Sequence, residues 1–426
     1  MCILLLQTFT AMADDFYTTI NNESHDLESK VIEWRRHIHQ NPELSNQEHE
    51  TAALIAKELK QLGVDIIETG IAGTGVVGTL IGKKSGPVVA LRADMDALPV
   101  VEQTGLPFAS TKTTIYKGKS VGVMHACGHD AHVAILLGVA ELFSRHKAQL
   151  PGTVKFIFQP AEEGVNDAAS WGARLMIEEG VLEGEYKPDV IFGLHVVPAP
   201  SGSLIYREKA VLAASDPFQI AITGKQTHGA TPWLGNDPIT IAGQLITALQ
   251  LIPARQLDVT KAPTVISIGS IHSGVKGNII PERVVMEGTL RTLDEGIRKQ
   301  AMSQLTQTVQ GLAKLNNASA TLEFKPGYAM TYNDPELTKN MINTMSRVVG
   351  KAKLFKMKPR TGSEDFSFFQ QKIPGLYIGL GVNKPESKMI YENHSPLFDV
   401  DENALIKGVQ VLSNLTYDYM IQSNAE

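Results

Sequence analysis

The spacing of apolar residues changes along the first part of the chain. From Leu27 to about His39 apolar side chains recur at helical intervals, which predicts a helix. A second helix is predicted from about Glu50 to Leu62, with Gly63 as its C-terminal stop. The short β-branched segments that follow predict strands: Val64–Ile67, Val76–Ile81 and Val88–Arg92.

Helices and strands continue to alternate towards the middle of the chain. The predicted elements are a helix over Ala131–Arg145, a strand over Val154–Phe158, a helix near Ala173–Glu179 and a strand over Val190–Leu194. These strands are continuous apolar runs, which are typical of strands buried on both faces. The pattern therefore predicts an α/β domain with a mostly parallel sheet covered by helices on both faces.

The order of elements changes after about residue 212. Strands are predicted at Phe218–Thr223, Thr264–Ile271, Val284–Thr292 and Ala320–Phe324, and helices at Ile239–Leu251 and Gly296–Leu315. The resulting order, β-α-β-β-α-β, is that of a ferredoxin-like α+β domain. We predict this inserted domain over residues 213–325.

The α/β pattern returns after the insertion. The last predicted elements are a helix over Pro335–Val349, a strand over Leu376–Leu380 and a helix near Asn403–Met420. Residues 24–212 and 326–426 are therefore expected to form two parts of one catalytic domain. Residues 1–23 are assigned to an N-terminal tail or a partial signal peptide.

The N-terminus leaves the cellular compartment open. A short apolar stretch precedes Ala11-Met12-Ala13, which is typical of the end of a signal peptide. The start of the chain carries no Lys or Arg, so a plain disordered tail stays as the alternative. For a signal peptide, a start codon placed too far downstream would explain the missing positive charge. The pattern favours a periplasmic or secreted protein over a cytoplasmic one.

Composition and charge narrow the classes of partner. Hydrophobic residues make up 43% of the chain and charged residues 20%, as in ordinary globular proteins. The formal net charge of −6 argues against a general binder of nucleic acid or anionic membranes. Cys2 and Cys127 are the only cysteines, which excludes a disulfide scaffold. No apolar run approaches the ~20 residues that span a bilayer, so no membrane partner is expected.

Side chains that can bind metal follow several predicted strands. They are Asp94 and Asp96, Glu162 and Glu163, His195, and Asn393-His394. Ligands of open α/β sheets bind at the carboxyl ends of the strands. A further segment, from His125 to His132, reads His-Ala-Cys-Gly-His-Asp-Ala-His and precedes a predicted helix. Thiolate, imidazole and carboxylate together form a donor set for zinc or manganese.

The number of candidate ligands predicts two divalent metal ions, Mn or Zn, that share a bridging ligand. Two metals roughly 3.5–4 Å apart can polarise a carbonyl and lower the pKa of a water between them. In the tandem Glu162-Glu163, one carboxylate can bind metal while its neighbour transfers a proton. Taken singly, a Glu-Glu pair is usually a solvated surface, His195 can be a structural histidine and Cys127 an inert buried thiol. The clustering between residues 125 and 132 favours the metal site.

A glycine motif elsewhere suggests a dinucleotide site but lacks its context. Gly73, Gly75 and Gly78 match G-x-G-x-x-G. That motif must open a helix to hold a pyrophosphate. Because Val76–Ile81 is predicted to be a strand, the glycines are interpreted as a turn.

The motifs resemble those of the aminoacylase-type metallopeptidases, peptidase family M20, and more closely their amidohydrolase branch. That branch includes hippurate hydrolases, N-acyl-amino-acid amidohydrolases and plant hydrolases of indoleacetic-acid conjugates. The resemblance runs from about Ile32 to Tyr419. Its markers are RADMDALP (92–99), MHACGHDAH (124–132), QPAEEG (159–164), GLHV (193–196), GKQTHGATPWLG (224–235), NIIPERVVMEGTLRT (278–292), GSEDFSFF (362–369) and NHSP (393–396).

The resemblance implies a set of metal ligands. Cys127 would be shared by both ions, and the other ligands would be His129, Glu163, His195 and His394. Other branches of the family carry His-x-Asp where this chain has Asp94-Met95-Asp96. Whether Asp94 contacts metal is therefore left open.

The resemblance also implies catalytic and substrate-binding residues. Glu162 would be the general base and acid, and Asp96 would orient a metal ligand. His228, in the smaller domain, would stabilise the tetrahedral oxyanion; in dimeric members this histidine often comes from the partner subunit. Asn278 and Arg291 would hold the substrate carboxylate, for which a guanidinium is well suited.

The expected function is a two-metal amidohydrolase that cleaves N-acyl or N-aroyl amino acids such as hippurate. A metallo-dipeptidase or an N-acetyl-amino-acid deacetylase of the same fold is the nearest alternative. A hydrolase with Cys127 as nucleophile would survive chelators and be inactivated by thiol alkylation, and a non-catalytic binder is a further alternative. A homodimer or higher homo-oligomer is expected through the inserted lid domain. The acyl group, the amino acid, the native metal and the oligomeric state are left open.

Overall fold

The computed structural model describes residues 16–165, 170–387 and 389–424. The signal-peptide pattern predicted for residues 1–13 lies outside these ranges. Residues 16–26 are helical, and Phe16 and Ile20 are buried in the main hydrophobic core. The described end of the predicted tail therefore packs against the rest of the protein.

The helices that the apolar pattern predicts lie close to their predicted positions, whereas the helices over residues 16–26 and Phe366–Gln370 were not predicted. Their bounds are α1 (residues 16–26), α2 (Glu28–Gln40), α3 (His49–Gln61), α4 (His129–Arg145), α5 (Gly172–Glu178), α6 (Pro238–Arg255), α7 (Glu295–Leu315), α8 (Pro335–Val349), α9 (Phe366–Gln370) and α10 (Leu405–Ser423). Short 3-10 turns occur at Pro232–Leu234, Lys351–Lys353 and Glu402–Ala404.

The strands include several short ones that the apolar pattern does not predict. Their bounds are β1 (Ile66–Ile71), β2 (Gly75–Ile81), β3 (Lys84–Asp94), β4 (Thr113–Tyr116), β5 (Lys119–Gly122), β6 (Pro151–Gln159), β7 (Val190–Pro200), β8 (Leu204–Tyr206), β9 (Lys209–Leu212), β10 (Ala214–Thr223), β11 (Thr227–His228), β12 (Thr264–Ser273), β13 (Ile279–Ile280), β14 (Arg283–Thr292), β15 (Ser319–Phe324), β16 (Thr331–Asn333), β17 (Leu354–Lys356) and β18 (Gly375–Asn383). The strand predicted after Gly75 is confirmed as β2, so the glycine motif opens no helix there.

The described chain forms two compact units. The first takes its residues from Met1–Lys209, Asn333–Met357 and Phe368–Glu426. The second takes its residues from Ala210–Tyr332 and Lys358–Ser367.

The first unit is built on a mixed sheet in the order β1-β2-β6-β3-β7-β18-β8-β17. The central pairs β6–β3, β3–β7 and β7–β18 are parallel, whereas β1, β2 and β8 join by antiparallel pairing. The predicted α/β class with a mostly parallel central sheet is confirmed.

Helix α4 lies at the centre of this unit and packs against β3, α2 and α10. Its Gly138 permits this close packing, because a Cβ there would lie 2.8 Å from Val409 and 3.0 Å from Val31. The helix is buried almost throughout, so its first turn is a rigid platform.

The second unit confirms the predicted β-α-β-β-α-β order. Its antiparallel sheet runs β12-β14-β10-β15, and α6 and α7 pack against it and each other. The side chains of Asp237 and Asp294 cap the two helices by accepting N–H bonds from Ile239 and Ile297. Short strands β11 and β13 form a separate pair in the same unit.

Two predicted strands differ from the structure in ways that have clear causes. The strand predicted over Val64–Ile67 begins later, as β1, because Gly63 has a φ of 77° and the Val64 N–H still bonds to the Leu59 carbonyl at 3.1 Å. The strand predicted over Val190–Leu194 continues to Pro200, because its parallel pairing with β18 extends past His195. His195 therefore lies within β7 rather than after it.

Among the described residues, no helix combines the length and apolar character that crossing a membrane requires.

Candidate metal centre

Neighbouring parallel strands bring the candidate ligands to one edge of the large sheet. In sheet order these strands are β6, β3, β7 and β18. Asp94 at the end of β3 is in register with Gln159 at the end of β6, and His195 in β7 is in register with Gly379 in β18. The segments that leave these strands therefore start at the same edge, as expected for a ligand site in an α/β sheet.

The predicted metal ligands lie together in the first unit. Cys127, His129 and Glu163 each offer a ligand atom within 4.8 Å of the others. Nε2 of His195 lies 3.4 Å from Sγ of Cys127, and Nε2 of His394 lies 3.2 Å from Oε1 of Glu163. Segments distant in sequence thus converge as predicted, while the role of each ligand stays a prediction.

Two of the histidines are oriented for metal binding through Nε2. Nδ1 of His129 lies 3.2 Å from a carboxylate oxygen of Asp96, and Nδ1 of His195 donates to the Val196 carbonyl at 2.7 Å. In the neutral imidazole, the form that binds metal, these bonds place the proton on Nδ1 and leave the Nε2 lone pair available. Nε2 of His129 is buried and has no hydrogen-bond partner among the described residues, which fits a metal ligand.

Asp96 connects His129 to the pair of glutamates. Besides His129, its carboxylate accepts hydrogen bonds from the Ser45 hydroxyl at 2.7 Å and from the N–H groups of Glu162 and Glu163 at 3.1 and 3.0 Å. Burial alone would raise the pKa of Asp96, but the His129 and Ser45 hydrogen bonds lower it below its usual value. A charged Asp96 therefore holds His129, a predicted metal ligand, and the turn that carries Glu162, which is consistent with its predicted role.

A second donor cluster includes residues that sequence analysis left open or missed. Four side chains offer ligand atoms within 4.8 Å of one another: Asp94, His129, His132 and His195. His132 has both nitrogens engaged, with Nδ1 donating to Asp94 at 2.5 Å and Nε2 accepting from the Val196 N–H at 2.8 Å. His132 is thus better suited to orient Asp94 than to bind metal itself.

Asp94 is also held by Arg92, whose Nη1 donates to it at 2.5 Å. Burial would raise the pKa of Asp94, but the charges of Arg92 and His129 hold it well below its usual value. The sequence did contain a signal for these contacts. His132 lies three residues after His129 on a helix, and Arg92 lies two residues before Asp94 on a strand, so each pair shares a face.

The buried donors carry an excess of negative charge that favours cations. Burial and the carboxylate of Glu163 raise the pKa of the Cys127 thiol well above its usual value. Burial would lower the pKa of His129, but Asp94 and Asp96 raise it to about 10. Divalent cations would offset this charge, and thiolate, imidazole and carboxylate are suitable ligands for zinc or manganese. Two donor clusters that share His129 therefore fit two divalent metal ions.

The start of α4 requires a glycine. Gly128 has a φ of 91°, and a Cβ at this position would lie 2.3 Å from a methyl carbon of Val196. Any other residue would strain the turn or push β7 away. Gly128 therefore sets the position of the flanking Cys127 and His129.

Charged side chains from α2 anchor the same turn of α4. Nε of Arg35 and Nδ1 of His39 both lie 2.8 Å from Oδ2 of Asp130, the residue after His129. Burial would raise the pKa of Asp130, but the Arg35 and His39 charges hold it well below its usual range. These buried charged contacts fix the first turn of α4, which carries the predicted ligand His129.

The loop that carries His394 is tied to the same segments. The side-chain amide of Asn393 donates to the carbonyls of Cys127 and Val196 at 3.0 and 3.3 Å. The His394 N–H bonds to the Ala126 carbonyl at 2.7 Å, and His394 has a φ of 72°. These contacts position His394 beside Glu163.

The predicted oxyanion and substrate-binding residues lie in the second unit. His228 is exposed, and its Nδ1 accepts the Ala230 N–H at 2.9 Å, which leaves Nε2 as a hydrogen-bond donor. Asn278 is nearby, since its carbonyl accepts the Gly229 N–H at 2.8 Å. Arg291 lies on β14 and donates to Ser363 at 3.0 Å.

Known proteins share both the sequence and the fold. Residues 90–418 match peptidase family M20/M25/M40. Thermostable carboxypeptidase 2 of Saccharolobus solfataricus is 42% identical over 396 residues, which is 92% of this chain and 96% of that protein. N-acetylcysteine deacetylase of Bacillus subtilis is 37% identical over 388 residues, covering 91% of this chain and 96% of the deacetylase.

One similar solved structure is of a metal-binding protein. The YXEP protein of Bacillus subtilis, described as a dinuclear metal-binding peptidase of family M20, superposes with a TM-score of 0.79 at 34% identity. The match covers 94% of this chain and 99% of the YXEP chain. The chain belongs to peptidase family M20, and it is an amide-bond hydrolase whose site suits two divalent metal ions.

Proposed function

We propose that the protein hydrolyses the amide bond of N-acyl or N-aroyl amino acids, hippurate among them, to a carboxylic acid and a free amino acid. The observation that carries this proposal is the turn bearing Glu162 and Glu163, held by Asp96 beside Cys127 and His129. Metal-assisted amide hydrolysis needs one carboxylate that binds metal and one that transfers a proton, both close to further metal ligands. The turn offers two carboxylates next to a buried set of donor side chains.

In this proposal, the residues around the turn have separate roles in metal binding and proton transfer. Cys127 would be shared by both ions, and the ligand set would be completed by His129, Glu163, His195 and His394. When bound, two divalent ions would polarise the amide carbonyl and lower the pKa of a water molecule. Glu162 would take the proton from that water as it attacks the carbonyl carbon, and would deliver it to the amide nitrogen as the carbon–nitrogen bond breaks.

The roles of the second unit stay predictions. The Nε2–H of His228 is a suitable donor to a developing oxyanion, because Nδ1 already accepts the Ala230 N–H. Asn278 and Arg291 are proposed to hold the substrate carboxylate. The lid and dimerisation role of residues 213–325 is likewise a proposal.

Exposed apolar side chains support the proposed self-association. In the second unit they include Trp233, Leu251, Val265 and Ile271. Val265 and Ile271 lie on β12, which is an edge strand of its sheet. An edge strand with exposed apolar side chains can pair with another protein chain, and a second copy is the partner we propose.

A cleft beside Glu163 is a candidate site for the acyl group. It has a volume of about 290 Å³ and lies entirely within the first unit. Its lining mixes two kinds of side chain. The polar or charged ones are Ser45, Gln47, Lys117 and Glu163, and the apolar or aromatic ones are Leu44, Ala97, Leu98, Pro99, Ile115, Tyr116 and Val165. The apolar part of this lining suits an acyl chain or an aromatic ring, so we propose that N-aroyl substrates are favoured over N-acetyl ones.

A substrate panel tests the proposed function. We expect the purified protein, supplied with manganese or zinc, to release glycine from hippurate faster than from N-acetylglycine, because the aromatic ring buries more apolar surface. Dipeptides and acetyl-amino acids form the other arms, assayed for free amine. Exclusive cleavage of dipeptides would favour the second candidate, a metallo-peptidase, to which the carboxypeptidase relative points. Exclusive cleavage of acetyl-amino acids would favour a deacetylase.

Replacing Ile115 tests the cleft. Ile115 lines it and is 68% exposed, so Ile115→Asp should leave the fold intact. We expect kcat/KM for hippurate to fall about tenfold relative to N-acetylglycine, since the ring loses an apolar neighbour. Val101→Asp is the matched control, because Val101 is 63% exposed and is not among the residues that line the cleft. Equal losses on both substrates would argue against the assignment.

A further inference from the structure

Glu162 and Glu163 stand on a turn with an uncommon backbone conformation. The turn follows β6 and begins with Pro160 and Ala161. Ala161 is buried and has a φ of 53°, in the left-handed region that residues with a Cβ rarely adopt. Such a conformation persists only where the surroundings enforce it. The contacts of this turn therefore decide where the two glutamates are placed.

The carboxylate of Glu48 makes one of these contacts. The Ala161 N–H donates to its Oε1 at 2.9 Å, and the Thr74 hydroxyl donates to its Oε2 at 2.6 Å. Glu48 is 0% exposed. It directly precedes α3 but makes no side-chain capping bond to that helix. Both carboxylate oxygens are thus directed to the turn and to Thr74.

Asp96 continues the same pattern along the turn, since it accepts the N–H groups of Glu162 and Glu163. The N–H groups of three consecutive residues, from Ala161 onwards, are therefore held by two buried carboxylates. Building on the proposed amide hydrolysis, we propose that Glu48 is a positioning residue. It fixes the backbone from which Glu162 transfers its proton and Glu163 binds metal.

The burial of this carboxyl group is unfavourable in itself. Burial and the negative charge of Asp96 raise the pKa of Glu48 to about 7, although the hydrogen bond from Thr74 acts in the opposite direction. An apolar side chain would avoid this cost. An apolar side chain at position 48 would, however, leave the buried N–H of Ala161 without a hydrogen-bond acceptor. This need for an acceptor explains why a carboxyl group is found at position 48.

Two substitutions of similar size separate the hydrogen bond from packing. Glu48→Met removes both acceptors, and we expect kcat to fall about 10–100-fold with a change in KM below about threefold, since the turn shifts while substrate contacts remain. Glu48→Gln retains an acceptor oxygen for the Ala161 N–H and should recover most of this loss. Both constants are measured on the substrate that the wild-type protein cleaves best.

Glu43 provides the matched control. It is also a buried glutamate, but it accepts the N–H groups of Glu50 and Thr51, at 3.1 and 2.9 Å, at the start of α3. Glu43→Met should lower Tm and keep kcat. Our proposal is wrong if Glu43→Met and Glu48→Met lose kcat equally, or if Glu48→Met stays within about twofold of wild type.

A measurement that needs no substrate tests the role of Glu48 independently of the proposed function. Hydrogen exchange of the amides of residues 161–163 should be faster in Glu48→Met than in wild type or Glu48→Gln. If wild type cleaves none of the substrates, the proposed function fails, while unchanged exchange would overturn the role of Glu48. If Glu48→Met does not fold, Thr74→Val replaces it, with a smaller rise in exchange expected and no rise counting against the proposal.

Discussion

Replacing Glu162 with glutamine is expected to lower kcat by about 10²–10⁴-fold, the range that general acid–base catalysis supplies. Glutamine keeps the size of the side chain and leaves unchanged the backbone N–H that bonds to Asp96 at 3.1 Å. It cannot accept a proton from water or return one to the leaving amine. The loss should therefore appear in kcat, with KM changed far less.

Metal analysis distinguishes the loss of proton transfer in Glu162→Gln from a loss of bound metal. Glu162→Gln should retain the metal content of wild type, because Cys127, His129 and Glu163 remain in place. Glu163→Gln, its neighbour on the same turn, is the matched control and should lose metal as well as activity. Wild-type kcat in Glu162→Gln would contradict the assignment of the general base, and loss of metal from it would assign Glu162 to the ligand set instead.

The convergence of the ligands was predictable because it follows from sheet geometry. Parallel strands bring their carboxyl ends to one edge, so Asp96, Glu163 and His195 had to approach one another once the strands were recognised. The run from His125 to His132 was informative because packing alone has little use for so many metal-binding side chains. The ferredoxin-like order of the second unit was predictable because strand-like and helix-like spacings of apolar residues follow one another along its sequence.

The side chains that support the ligands could not be predicted in this way. Glu48 and Ser45 lie in a polar segment before α3. The spacing of apolar residues in this segment does not show that Glu48 contacts a turn more than a hundred residues later in the sequence. Arg92 and His132 engage Asp94 only in the folded structure. The short strands β8 and β17 also escaped prediction, because three-residue pairings depend on their neighbours more than on their own pattern.

Removing the metal ions, or the ligand that both are proposed to share, should abolish the activity. A chelator is expected to lower kcat/KM by about 10³-fold or more, because Lewis-acid stabilisation of a transition state is worth several kcal/mol. Added manganese or zinc should restore it. Cys127→Ala should bind fewer than two ions and stay inactive when metal is added, measured by metal analysis beside the amine-release assay.

The same experiment decides between metal catalysis and a nucleophilic cysteine. A catalytic thiolate needs a lowered pKa, whereas burial and the nearby carboxylate of Glu163 raise the pKa of Cys127 well above its usual value. A thiol in this setting becomes a thiolate when a cation compensates its charge, so bound metal should also protect Cys127 from alkylation. Full activity after chelation, with complete inactivation by a thiol reagent, would identify Cys127 as a nucleophile and overturn the two-metal mechanism.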